Sequence, residues 1–207
     1  MKVLDFGGNV GNFLNDPSCK VQARNYTCLD VDQTPLEKGR ELFPEARWVY
    51  YNRFNPVYNH QGQLGEPIPR FETNFNAIMA FSVFTHTSEA EMIFTVSNEL
   101  LPLLAPGGFL AFTFIEPSYL ENFIARRLQD YENVNQKAVI RSARGLEQFY
   151  YLNHDQITAT APPENQVFRH MVSFYSPNYI QNLFKEFSPE IRKSALNEVQ
   201  SCVVIRK

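Results

Sequence analysis

The segment Val3-Leu4-Asp5-Phe6-Gly7-Gly8-Asn9-Val10-Gly11-Asn12 limits the folds open to this chain more than any other. An apolar strand runs directly into a glycine-rich turn. About twenty residues further on, a second apolar run, Tyr26-Thr27-Cys28-Leu29-Asp30-Val31-Asp32, ends on an acid. A strand, a glycine turn and a strand tipped by a carboxylate are the means by which an α/β sheet holds a nucleoside. Glycines let the backbone approach a ligand where a Cβ would collide. A carboxylate at the second strand tip accepts hydrogen bonds from ribose hydroxyls. The competing role for Asp30 is a strand-end cap, and Asp32 reads as a helix N-terminal cap.

Composition decides between broad classes. With 207 residues, 44% of them hydrophobic and 20% charged, the chain reads as one soluble domain with a sizeable core. Its 18 Phe and 10 Tyr point to an aromatic core and an aromatic-lined pocket. A net charge of −3 argues against a broad phosphate-binding face, and so against nucleic acid. The basic residues gather only at Arg126-Arg127 and from Arg141 to Arg144. Cys19, Cys28 and Cys202 form no CxxC pair, which fits a reducing, cytoplasmic setting better than a disulfide framework. No apolar run approaches the roughly 18 residues of a membrane span. His60, His86, His154 and His170 show no metal-ligand spacing, so no metal site is expected.

Apolar runs alternate with helical patterns in the first half, the mark of βαβ units. Strands are expected at about 2–6, 26–31, 47–51, 75–81 and 109–114. Pro17 abbreviates the first helix. Thr34-Pro35 reads as an N-cap and first-turn proline opening a helix to about Leu42. The stretch 52–74, rich in asparagine, glutamine, proline and glycine, reads as a long loop of the kind that often carries function. Ser88, with Glu91 three residues on, has capping-box spacing and opens a helix to about Leu104; Pro106-Gly107-Gly108 then turns into the fifth strand. In the second half a helix is expected at 118–131, a loop at 132–146, strands at 148–152 and 167–175, a turn at 158–166, a helix capped by Ser176-Pro177, and a closing strand at 199–205.

Four segments in register resemble the class I S-adenosylmethionine-dependent methyltransferase family: VLDFGGNVG, CLDVDQTPLEKGRELFP, FNAIMAFSVFTHTS and LLPLLAPGGFLAFTF. SFYSPNYIQNLF and QSCVVIRK are similar to the family's terminal helix and closing strands. The resemblance implies a Rossmann-like, seven-stranded, mostly parallel sheet with an antiparallel C-terminal hairpin and helices on both faces. It implies a single domain over 1–207, with a cofactor half to about 115 and an acceptor or lid half beyond. In the family's D-x-G-x-G-x-G loop, Asp5, Gly7 and Gly11 match, Gly8 lies between them, and Asn9 stands where glycine is usual. Asparagine tolerates positive φ better than most residues. The resemblance further implies S-adenosyl-L-methionine as cofactor, with Asp30 on the ribose and Val31 against adenine. Asn52 falls near the adenine amino group, and Phe81 and Ser82 beside the methionine portion.

Methyl transfer from a sulfonium requires alignment and exclusion of water more than a fixed triad. His86, just past the fourth strand, is the candidate base, its alternative being a loop histidine that shapes the pocket. Glu116 and Tyr119 follow the fifth strand near the pocket mouth, where Glu116 serves either the acceptor or the next helix N-terminus. His154-Asp155 and His170 lie in the variable half, where a solvated or core role competes with one facing the acceptor. The place of the family's Asn/Asp-Pro-Pro-aromatic motif reads Phe81-Ser82-Val83-Phe84; this absence and the net negative charge shift the expected acceptor from DNA toward a small molecule, and methylation is expected at oxygen more than at nitrogen. The chain begins on its first strand, without the N-terminal helices that often cover the pocket in the family, so either the loop 52–74 and the region 118–166 are expected to supply the lid, or a partner does, or the chain is one domain of something larger. Three rivals stand beside this reading: a protein or RNA methyltransferase using the arginines, a non-catalytic binding or assembly subunit of the same fold, and an NAD-binding protein. A homodimer or partner subunit stays open. Against NAD, the glycine spacing is wrong, and Pro17 breaks the helix that would hold a pyrophosphate.

Overall fold

A computed structural model of the chain describes residues 1–55, 58–116, 118, 138–143, 146–151, 170–193 and 200–207, with backbone alone for 138–143, 146–151 and 170–172. The strand β1 (Val3–Phe6) is buried throughout. Its side chains alternate between two cores, Leu4 and Phe6 facing one and Val3 the other. It lies between β2 (Tyr26–Asp30) and β4 (Phe75–Ala80), parallel to both. β3 (Arg47–Tyr50) pairs with β2, and β5 (Leu104–Ile115) with β4, again in parallel. β10 (Gln200–Arg206) runs antiparallel along β5, and β9 (Glu190–Lys193) antiparallel along β10. The order β3-β2-β1-β4-β5-β10-β9 is the mostly parallel sheet with a closing antiparallel hairpin that the resemblance implies.

The described sheet has ten strands rather than seven. β6 (Ala138–Ala143), β7 (Leu146–Tyr151) and β8 (His170–Tyr175) form an antiparallel ribbon, joined to β5 through the single parallel pair Ile115 and Phe174. β6 falls where the sequence reads as a loop. Its short run with an arginine inside becomes a strand through pairing with β7, a cross-strand effect that local propensity does not report. The helix expected at 118–131 and the turn at 158–166 lie outside the described residues.

Local chemistry sets the helices. α1 (Asn12–Asn15) is one turn long and buries none of its residues. α2 (Gln33–Leu42) is capped by Asp32, whose carboxylate accepts from the Thr34 N–H at 3.0 Å. Asp32, not Thr34, is therefore the N-cap. Pro35 then sits within the first turn, where a missing N–H costs nothing. α3 (Glu89–Phe94) starts at Ser88, whose hydroxyl accepts from the Glu91 N–H at 3.2 Å. It runs on as a π turn over Thr95–Leu100 and a 3₁₀ turn over Leu101–Leu103. α4 (Pro177–Leu183) is capped by Ser176 in the same manner, at 3.2 Å. The Pro106-Gly107-Gly108 turn bulges from β5: Phe75 pairs with Leu104, while Ala77 pairs with Phe109.

One core joins the sheet to α3 and α4 through Ile78, Phe84, Met92, Phe112, Ile180 and Phe184. The other packs Val3, Tyr26, Leu36, Trp48 and Met79 between the sheet and α1–α2. Among the described residues no helix is long and apolar enough to cross a membrane.

Candidate functional site

The glycine loop is fixed from beneath and from the side. The Gly7 N–H donates to the Leu29 carbonyl at 2.8 Å, carrying the β1–β2 pairing into the turn. Gly7 adopts φ 74°, and a Cβ there would meet Val83 Cγ2 at 2.5 Å. Both facts require glycine. Asn9 has φ 54°, so the asparagine takes up the left-handed conformation that glycine usually supplies. Its side-chain oxygen accepts from the Val10 N–H at 2.8 Å. Gly8 lies against the Asp5 carboxyl and the Cys28 sulfur, both under 3 Å from where its Cβ would sit.

Two carboxylates organise this loop. Asp5 is buried, and the Tyr26 hydroxyl donates to it at 2.6 Å. Burial pushes its carboxyl up to about 6, opposed by the Tyr26 hydrogen bond and assisted by the charge of Asp30. The Cys28 thiol, pushed well up chiefly by burial, donates to the Asn9 carbonyl at 3.6 Å. Asp30, at the tip of β2, accepts from the Asn9 N–H at 2.9 Å and the Asp32 N–H at 3.0 Å. Its carboxyl is raised by burial and held back by the backbone N–H groups of Asp32, Asn9 and Val31. Asp30 thus ties loop and strand together at the carboxyl end of β2.

The remaining candidates lie along the same carboxyl edge. Phe81, 45% exposed, and Ser82 follow β4. Ser82 is held at φ 59° by a hydrogen bond from its N–H to Thr113 Oγ1 at 2.8 Å. The Ser82 hydroxyl also pairs with the Gln200 side-chain amide, 3.0 Å to Nε2. His86 closes a 3₁₀ turn (Phe84–His86). Ser173 of β8 donates to the Thr87 carbonyl at 2.9 Å, so the ribbon lies against this turn. Glu116, past the end of β5, accepts from the Ser201 hydroxyl at 2.5 Å. Asn52 follows β3, but its Oδ1 already accepts from the Tyr50 hydroxyl at 2.8 Å and the Asn59 amide at 3.2 Å. An adenine amino group would have to displace one of them. His170 begins β8; Tyr119, His154 and Asp155 lie outside the described residues. No group of three or more His, Cys, Asp or Glu among the described residues could hold a metal.

The sequence reading passed over Gln200 and Ser201. β10 is antiparallel to β5, so its first residues reach the carboxyl edge; a strand pattern carries no direction. It also passed over Arg53, buried and paired with Glu99 at 2.6 Å and Glu91 at 3.4 Å. Glu91 and Glu99 would stand roughly 80° apart on a regular α-helix. The π turn between them closes most of that angle, so both reach one guanidinium.

Sheet order, glycine loop and tipped second strand define a Rossmann-like nucleoside-binding protein. The chain belongs to the methyltransferase-domain family, whose model matches residues 4–110 of the 207. The resemblance to class I S-adenosylmethionine-dependent methyltransferases is thereby borne out, and with it the reading as an enzyme. No curated protein matches the chain in sequence. Among solved structures it is similar to CalS10, an amino pentose methyltransferase from Micromonospora echinaspora, with TM-score 0.57 and 14% identity over 100% of this chain and 83% of that one. An S-adenosylmethionine-dependent methyltransferase from Clostridium acetobutylicum gives TM-score 0.58 and 13% identity over 99% and 83%. The DhpI–SAM–HEP complex gives TM-score 0.58 and 13% identity over 100% and 78%. At these identities the likeness concerns the fold.

Proposed function

We propose that the chain transfers the methyl group of S-adenosylmethionine to a small-molecule acceptor, at oxygen in preference to nitrogen. The observation that carries the cofactor reading is Asp30, buried at the loop mouth with its oxygens on backbone N–H groups. A carboxylate has about four acceptor sites, so it keeps capacity for a ribose hydroxyl. The fit extends to what the loop lacks. α1 is a single turn behind a left-handed Gly11, so it offers no helix dipole for a phosphate. That suits a nucleoside without phosphates and disfavours NAD. Neighbours of the same fold were crystallised with S-adenosylmethionine.

Bound there, S-adenosylmethionine supplies a methyl group made electrophilic by its sulfonium. Asp30 would hold the ribose and Val31 pack against adenine. The Asp5-supported backbone of Gly7, Gly8, Asn9 and Gly11, with Phe81 and Ser82, would flank the methionine portion. Asn52 is the weaker adenine contact, for the reason given above. His86 would take the proton of an acceptor hydroxyl, and Glu116 would orient that acceptor from the tip of β5. Oxygen is favoured by His86 and by Phe81-Ser82-Val83-Phe84 in place of the nitrogen-methylating motif. An amine acceptor is the second reading, since neighbours include an amino pentose methyltransferase and a glycopeptide N-methyltransferase.

The test is turnover of labelled S-adenosylmethionine against panels of hydroxylated and amine-bearing small molecules, with the methylated atom located by fragmentation. His86→Ala is expected to lower kcat on a hydroxyl acceptor by roughly 10²-fold or more, the range of a general base, with cofactor affinity retained. Methylation confined to amines, indifferent to His86, would overturn the oxygen reading.

A further inference from the structure

The described residues of the stretch 52–74 are tied to the α3 region at both ends. Near its start Arg53 is 6% exposed and pairs with Glu99 and Glu91 of the α3 region. Toward its end the Ile68 N–H donates to the other oxygen of Glu99 at 3.1 Å. One carboxylate therefore anchors both arms. Between them the chain folds back through reciprocal backbone bonds of Asn55 and Asn59, at 2.9 and 3.0 Å. The Asn59 amide donates to the Tyr50 hydroxyl at 3.3 Å and to Asn52 Oδ1 and the Arg53 carbonyl, each at 3.2 Å. Gly62 runs so close to the Arg53 backbone that a Cβ would lie 2.6 Å from it.

Tyr58 sits in this turn, its N–H bonded to Asn55 Oδ1 at 3.0 Å. Its ring meets that of His86 edge-on, centroids 6.1 Å apart at 89°. Burial, and after it the charges of Asp30 and Asp32, push its hydroxyl up. The residue thus lies against the ring of the candidate base and within the field of the Asp30 carboxylate, yet 52% of it stays exposed. A large aromatic, placed by an anchored turn beside His86 and left half uncovered, has a ring face to offer.

We propose that Tyr58 is a cofactor-contacting residue whose ring covers the nucleoside and shuts water from the space between Asp30 and His86. This rests on the reading that S-adenosylmethionine occupies the site. The contact is made by the ring and not the hydroxyl, and its placement comes from the Arg53–Glu99 anchor. Excluding water at this edge serves methyl transfer, since a stray water competes with the acceptor.

Calorimetric titration with S-adenosylhomocysteine tests this on wild type, Asp30→Ala, Tyr58→Ala and Tyr58→Phe, with thermal melts alongside. Wild type should bind and Asp30→Ala should not. Tyr58→Ala should bind roughly tenfold more weakly or worse, as for loss of an aromatic–base stack, with an unchanged melting temperature. Tyr58→Phe should bind like wild type. Wild-type affinity in Tyr58→Ala, or a loss in Tyr58→Phe equal to that in Tyr58→Ala, would overturn the covering role while leaving the cofactor reading intact. Absence of binding by wild type would overturn the cofactor reading, and this inference with it.

Discussion

Asp5 shows how one side chain couples the loop to pH. Its carboxyl rises from 3.8 to about 6 because it is buried, against the hydrogen bond from Tyr26. The folded state therefore binds the proton more tightly than the unfolded chain. The stability this adds is complete below about pH 4 and is lost as pH rises through about 6, a change of roughly 2–3 kcal/mol. Asp5→Asn keeps an acceptor for Tyr26 and removes the ionisation. Urea unfolding at pH 4.5 and 7.5 should show wild type losing stability relative to Asp5→Asn across that interval; parallel profiles would refute the buried ionisation. At this scale the sequence was informative where chemistry is local. Asn9 read as a residue tolerant of positive φ, and it has φ 54°. Asp32 read as a cap, and it caps α2. The pairing of Arg53 with Glu91 and Glu99 was not legible, because 38 and 46 residues separate the partners and nothing in the sequence between them encodes their meeting.

Among elements, α2 is held on the sheet by a glycine. The Cβ of an alanine at Gly39 would lie 2.2 Å from Trp48 Cη2 and Cζ3. Helix propensity alone favours alanine by about 1 kcal/mol. Overpacking against a ring already fixed by Tyr26 and by its indole bond to the Phe43 carbonyl costs about 1–3 kcal/mol. Steric conflict should win. Gly39→Ala is expected to destabilise by about 1 kcal/mol in denaturant titration, with a shift in the emission of Trp48; a stabilised variant would show that the ring yields. Strands β1, β2, β4 and β5 were legible because two-sided burial makes them nearly continuous apolar runs. β6 was not, because only its partner β7 makes it a strand.

For the whole molecule, the buried Arg53 joins the insertion after β3 to the helix before β5. Arg53→Met would leave Glu99, 8% exposed, without its cation. Removing one member of a buried pair costs about 3–5 kcal/mol, most of it from the stranded charge. Adding Glu99→Gln should therefore recover part of the stability lost in Arg53→Met, as measured by urea unfolding; a further loss would contradict the charge account. The mostly parallel sheet was legible because glycine loop, acidic tip and strand run follow in one order. Of the ribbon, β7 and β8 overlap the strands expected at 148–152 and 167–175, but its place beside β5 was not legible, since it meets β5 at one residue pair.

The strand β10 follows the other described strands in the chain, yet it seats between β5 and β9, running along β5 from Ile115 to Phe109. During synthesis the side of β5 that β10 covers must therefore wait until residues 200–206 have emerged. That open side presents unmet N–H and C=O groups beside Phe112 and Phe114, both fully buried at the end. Such an edge can recruit a strand from another molecule. Until β10 docks, that edge is where self-association can begin.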